Sequence, residues 1–376
     1  MIHPWQTGLF ARLSSRRLSL PHALLLHGRA GLGKTDFALA LAQSLLCDAP
    51  LENGEACGQC PACGWFAAGN HPDFRWVSLQ EEDATDEDVA SDAKGKKPPT
   101  QIGVDAIRAL SGFMTTSTHR QGMRIVVIAP ADALNVNAAN ALLKTLEEPL
   151  PGTLMMLVSD EPGRLPATIR SRCQNVRFDL PPAAEAEAWL SRAGVEQASL
   201  FLALAGGAPL EAQRLATQDA GLRPALLRML SNPEASLVQL SEQAIKMATP
   251  EWIGWLQRWA HDLVEQKLVG QIRYHLDFTE ALGRMAQKAD LFDLLSWERQ
   301  LREARRLAQH PLNARLFAES LLLPVLAMRY SSFLQEIHPC LWIHTVIWIF
   351  LNCAPISPPS RQPWKPTGSL MRCASR

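Results

Sequence analysis

The chain has 376 residues, 47% of them hydrophobic, enough for two or three domains with separate cores. Lysine plus arginine and aspartate plus glutamate each number 37, so no global field draws the chain to nucleic acid or to an anionic membrane. Any DNA contact must be local or shared with partners.

The N-terminus (MIHPWQTGLF) lacks the basic start and long apolar stretch of a signal peptide, and free-standing cysteines beside a nucleotide loop predict a reducing cytoplasm. Ala23 to Leu26 is a short apolar run that reads as a buried parallel strand. It runs into Gly28 to Thr35 (GRAGLGKT), a gap-free G-x-x-x-x-G-K-T, and then into a predicted helix from Lys34 to Leu46. A strand before and a helix after are the context that gives such a loop its chemistry. Backbone N–H groups and the helix dipole at Gly28, Gly31 and Gly33 favour a polyphosphate. In that setting Lys34 would reach the outer phosphates of ATP or ADP and Thr35 would ligate Mg²⁺.

A cysteine-rich insertion follows at 47–69. Cys47, Cys57, Cys60 and Cys63 offer four thiolates, two of the intervals being C-x-x-C, which suits a closed, structural, tetrahedral Zn²⁺ site. An Fe–S cluster is the alternative, but a ferredoxin run needs a further cysteine where Ala67 stands. His71 is expected to serve the turn at Pro72 rather than the metal. After a strand at Phe74 to Leu79, the segment 80–100 is acidic first and then rich in lysine and proline, and is expected to be a disordered surface loop.

Val104 to Phe113 has helical spacing. Strands at Ile125 to Ala129 and Leu154 to Ser159 flank a helix from Val136 to Glu148 that stops before Pro149. A short helix over Thr168 to Arg172 and a strand at Val176 to Phe178 complete an α/β alternation, which predicts a parallel sheet covered on both faces. One strand is anomalous. RIVVIA, Arg124 to Ala129, leads to Pro130, where an ATPase of this kind places the acids that hold Mg²⁺ and orient water. Asp132 lies two residues beyond and is expected to point away from the phosphates. Little or no intrinsic hydrolysis is expected.

Beyond Pro181-Pro182 only helical patterns occur, broken at Gly206-Gly207 and Asn232-Pro233. Trp252, Trp255 and Trp259 share one helical face and read as packed core, with a subunit interface as the sharper alternative. The segment 332–376 is out of character. Its apolar run Cys340 to Ala354 gives about 22 Å of helix against the ~30 Å a bilayer needs, so an aberrant C-terminus is expected rather than a membrane anchor.

Asn140 to Pro149 (NALLKTLEEP) and Ser171-Arg172-Cys173 (SRC), taken with the cysteine insertion, the HPDF at His71 to Phe74 and the missing acids, resemble the bacterial clamp-loader AAA+ family and its delta-prime branch. The resemblance implies a P-loop NTPase-like domain over 1–179, a small helical lid over 180–220 and an all-α oligomerisation collar over 221–331. It implies that Arg172 is an arginine finger acting in trans on a neighbour's ATP, and that Ser159 stands at the γ-phosphate sensor position. Implied partners are delta and gamma/tau subunits in a hetero-pentamer, with the sliding clamp and primer-template DNA reached through the complex at the replisome. The family's active motors carry an arginine soon after a glycine of the lid; here Ala208, Pro209 and Leu210 follow Gly207, which weakens the case for turnover. The enzyme alternative is an active gamma/tau-like ATPase. A zinc-dependent DNA-binding protein is a third class, disfavoured by the neutral charge balance.

Overall fold

The computed structural model describes residues 2–17, 19–79, 101–115, 122–218, 221–308 and 312–328. The expected disordered loop at 80–100 and the tail at 332–376 lie outside the described residues. Helix α1 (Thr7–Ser14) precedes strand β1 (Ala23–His27), α2 (Lys34–Leu46), α3 (Pro61–Ala67), β2 (Phe74–Val77), α4 (Val104–Thr115) and β3 (Arg124–Ile128). Then come α5 (Val136–Glu147), β4 (Thr153–Ser159), α6 (Ala167–Arg170) and β5 (Gln174–Arg177).

The five strands are all parallel, in the order β2-β3-β4-β1-β5. β1 and β3 are continuous apolar runs because both of their faces are covered. Leu24 and Leu26 point towards α1 and α2, where they meet Phe10, Phe37 and Leu41. Ala23 and Leu25 point to the opposite face, where Ile107, Leu110, Leu142 and Leu146 of α4 and α5 wait. The period-2 alternation of a strand thus feeds two separate cores. Parallel strands end on one edge, so the turns after β1, β3 and β4 are neighbours, and β1 pairs with β4 in a register that sets His27 beside Ser159.

Several boundaries differ from the sequence expectation: the helix expected over Thr168 to Arg172 is Ala167–Arg170, which leaves Arg172 beyond its end, and two strands stop early for a physical reason. β2 stops at Val77, where its pairing with Ile128 at the end of β3 runs out. β5 stops at Arg177, and Phe178, whose N–H donates to the His27 carbonyl at 2.8 Å at the end of β1, packs edge-on against Phe37, 5.0 Å between ring centres.

The rest is helical: α7 (Ala183–Arg192), α8 (Ala198–Leu204), α9 (Pro209–Gln218), α10 (Leu222–Ser231), α11 (Leu237–Ala244), α12 (Thr249–Val269), α13 (Thr279–Lys288), α14 (Leu291–Leu307) and α15 (Ala314–Met328). These helices share one continuous buried cluster from Ala186 to Met328. Trp252, Trp255 and Trp259 of α12 are 1%, 4% and 0% exposed, the core reading rather than the interface reading. Burying each indole stabilises by roughly 4–6 kcal/mol as an upper bound on area. No helix among the described residues is long and apolar enough to cross a membrane.

Candidate functional site

The phosphate loop sits where the sequence puts it, between β1 and α2. Gly33 is the N-cap of α2 with φ +77°, a left-handed conformation that side chains rarely adopt, and Thr35 is half-buried in the first turn. Three distant segments close over this loop. From the N-terminus, Gln6 donates from Nε2 to the Leu32 and Gly33 carbonyls at 2.7 and 2.9 Å, and Trp5 Nε1 donates to Leu32 at 3.1 Å. From the helical part, the Leu210 N–H donates to the Gly31 carbonyl at 3.1 Å, while Arg29 Nη1 donates to the Gly206 carbonyl at 3.0 Å. The approach is so close that a Cβ on Gly31 would stand 2.5 Å from that of Glu211.

The third segment follows β4. Asp160 Oδ1 lies 2.6 Å from Lys34 Nζ, which also donates to the Arg29 carbonyl at 2.7 Å. The Lys34 side chain is 3% exposed, so its charge is neutralised inside the chain. Asp132 Oδ1 accepts from the Asp160 N–H at 3.1 Å, an arrangement that holds the strand-end turn in place. Ser159, 0% exposed, keeps its Oγ without a partner among the described residues. That orphaned hydroxyl beside the loop is what an absent acceptor or donor would satisfy. β3 ends at Ile128, and Ala129 and Pro130 supply no oxygen ligand beyond their carbonyls. Asp160 is the functional-site residue that sequence reasoning missed. The only signal is its position, one residue past a strand end on the loop-bearing edge of the sheet.

The four cysteines converge. Cys47 is the C-cap of α2, and Cys60 is the N-cap of α3, which opens with Pro61. The Sγ atoms all lie within 4.8 Å of one another. Cys47–Cys57, Cys47–Cys60 and Cys57–Cys63 are 3.5, 3.8 and 4.0 Å apart, close to the ~3.8 Å edge of a tetrahedron with ~2.3 Å metal–sulfur bonds. Backbone N–H groups of Cys57, Gln59, Cys60 and Cys63 all point at these sulfurs, at 3.3 to 3.5 Å. Those of Gln59 and Cys60 bring the Cys57 thiol down to about 6, whereas burial pushes that of Cys63 up to about 12. The cluster can hold a metal ion with all four positions filled by protein. His71 is not part of it; its Nδ1 accepts from the Asp73 N–H at 3.1 Å in the turn.

Arg172 lies beyond the end of α6, on the surface. Its Nη2 is 2.7 Å from Glu147 Oε1 at the end of α5, and its Nη1 donates to the Thr168 carbonyl at 2.9 Å. The guanidinium is not drawn into the phosphate loop of its own chain.

The model for "DNA polymerase III, delta subunit" matches residues 8–182. The DNA polymerase III subunit delta' of Pseudomonas aeruginosa is 36% identical over 344 residues, covering 85% of this chain and 96% of that protein. The subunit of the same name from Yersinia pestis is 31% identical over 323 residues, 81% of this chain and 88% of that protein. Among solved structures, a DNA polymerase III gamma subunit-related protein of Thermotoga maritima aligns over 86% of this chain and 99% of its own length, at 18% identity and a TM-score of 0.43.

Proposed function

The chain belongs to the DNA polymerase III delta-prime family of clamp-loader subunits, and from that premise we propose that it acts as a largely non-hydrolysing stator of the loader. The observation that carries the reading is the end of β3, where Ala129 and Pro130 stand in place of metal-binding and water-orienting acids. Lys34 and its bonded Asp160 add to it, because an incoming phosphate must displace a carboxylate already 2.6 Å from the ammonium. The residues present fit a polyphosphate: Gly28, Gly31, Gly33, Lys34 and Thr35 form the cradle and Ser159 offers a spare hydroxyl. ATP or ADP held there would be a static ligand, since phosphoryl transfer depends on electrostatic placement that this site lacks.

Arg172 then carries the catalytic contribution, in trans. A guanidinium offered to the γ-phosphate bound by an adjacent gamma/tau subunit neutralises charge as the phosphoryl group leaves, which makes that neighbour's hydrolysis depend on assembly. The division of labour that goes with this is a nucleotide-fold domain over 1–179, a lid over 180–220 and a collar over 221–331 that closes the ring with delta and gamma/tau. Through that ring the sliding clamp is opened and placed on primed DNA. The cysteine cluster holds Zn²⁺ and fastens the insertion to the far end of the phosphate-loop helix.

Reconstitution with delta and gamma/tau subunits, with ATPase measured on clamp and primed DNA, tests the reading. Arg172→Ala is expected to leave assembly intact and to lower stimulated turnover about tenfold or more, given what such a residue contributes per site. Brisk hydrolysis by the isolated chain that is lost in Lys34→Ala would support an active motor instead. Metal analysis of Cys60→Ser is expected to show loss of the zinc bound by the cluster, with the sheet and helical regions still folded.

A further inference from the structure

We infer that Glu147 is a positioning residue for Arg172, fixing the guanidinium in its outward pose before a neighbouring subunit arrives; this rests on the reading of Arg172 as a finger in trans. Glu147 occupies an unfavourable place. It is the last residue of α5 and is followed by a second acid, Glu148, at the C-cap, where the helix dipole presents partial negative charge. Acids there repel the helix end unless a cation offsets them. Lys144 lies in the same last turn, and the cation that contacts Glu147 is Arg172, from a different element, with Nη2 2.7 Å from Glu147 Oε1.

The distance between the two is set by rigid parts. Leu142 and Leu146 on α5 and Ile169 on α6 are 0%, 2% and 0% exposed and belong to one core under the sheet. Cys173, the residue after Arg172, is buried in the same core. The backbone at both ends of the ion pair is therefore anchored, and the soft degrees of freedom are those of the two side chains. Glu147 on Nη2 and the Thr168 carbonyl on Nη1 hold the plane of the guanidinium from two sides. Among the described residues Nε–H and a second Nη2–H have no partner, enough for a bidentate contact with a phosphate. The Arg172 side chain is 35% exposed and that of Glu147 49%, so the pair is reachable by a docking subunit. An arginine ordered in advance loses less conformational entropy when it engages, and the gain falls on the chemical step rather than on binding of nucleotide.

The test is a double-mutant cycle in the complex reconstituted with delta and gamma/tau subunits, reading kcat and KM for ATP with clamp and primed DNA, and complex formation by size-exclusion chromatography. Glu147→Ala is expected to lower kcat about three- to tenfold with KM within twofold of the parent. Glu147→Gln, which keeps an acceptor oxygen but no charge, should fall between. In an Arg172→Ala background, Glu147→Ala should have no further effect. The inference is overturned if Glu147→Ala leaves kcat unchanged or raises it while Arg172→Ala lowers it, the finger reading then standing alone. It is also overturned if the Glu147→Ala loss persists in full without Arg172. Should Arg172→Ala itself leave turnover unchanged, the finger reading fails first and this inference goes with it.

Discussion

Lys34 and Arg172 are both cations suited to phosphate, and both meet a carboxylate of their own chain, yet their surroundings are opposite. Lys34 is 3% exposed, bonded to Asp160 and to the Arg29 carbonyl, under a roof made by the N-terminal segment and the start of α9. Arg172 is about a third exposed, just past the end of α6, with one acid at its side and further N–H donors without a partner among the described residues. A buried ammonium neutralised by its own carboxylate draws little from outside until the acid leaves, whereas a guanidinium at the surface keeps a field that a neighbour can feel. On the proposed reading, the phosphate loop's cation faces inward and the finger arginine lies at the surface.

Removing each charge is the strongest way to break that contrast. In the reconstituted complex Lys34→Ala is expected to change stimulated ATPase by less than twofold, against the tenfold or greater loss for Arg172→Ala. Equal losses would mean that both cations serve hydrolysis. A gentler change sharpens the point from the other side. Asp160→Asn removes the internal charge with little change of shape and should tighten ATP binding to the isolated chain by about five- to tenfold, at the low end for charge-assisted bonds because Asp160 is half exposed. Titration of a fluorescent ATP analogue reads this; unchanged affinity would show that the roof over the loop, not the acid, is what limits entry.

What could be read in advance follows from how local each arrangement is. The strand–loop–helix unit at Ala23 to Leu46 and the four cysteines are specified by short, contiguous spacing; the strand and helix form there, and the four Sγ atoms lie within 4.8 Å of one another, able to hold a metal ion. The missing acids after β3 were equally legible, because they are an absence at a fixed place in a motif. Asp160, Gln6 and Leu210 were not, since each reaches the loop across a long stretch of chain and no pattern announces which polar residue folds back. Glu147 was visible as part of NALLKTLEEP but not as the partner of Arg172. Sequence spacing gives neighbours along an element; the pairing of α5 with α6 is a consequence of the shared core.

A third pair extends the series to full burial and carries the smallest effect. Asp262 and His275 are both 0% exposed, with Nδ1 2.8 Å from Oδ2, and Asp262 also accepts the N–H groups of Arg273, Tyr274 and His275. Burial pushes the Asp262 carboxyl up, but these bonds outweigh it and hold its pKa below the ordinary value. Burial drives His275 down, more than Asp262 raises it, and the nearby Arg223, itself paired with Asp277, adds to the fall. Both folded pKa values lie below the unfolded ones, so both groups contribute stability at neutral pH that is lost on acidification. For His275 the loss begins as pH drops below about 6.5, where the unfolded chain takes up a proton that the folded site resists. Asp262 adds its share only below about 3.8. Between pH 7.5 and 5 the histidine contribution is at most about 2 kcal/mol, or roughly 4–8 °C in the unfolding midpoint of the helical region. His275→Asn retains a donor for Asp262 and should flatten that part of the pH dependence in thermal unfolding. A slope as steep as that of the parent would mean that the buried imidazole is not the group that resists protonation, and the series from buried pair to exposed pair would lose its inner end.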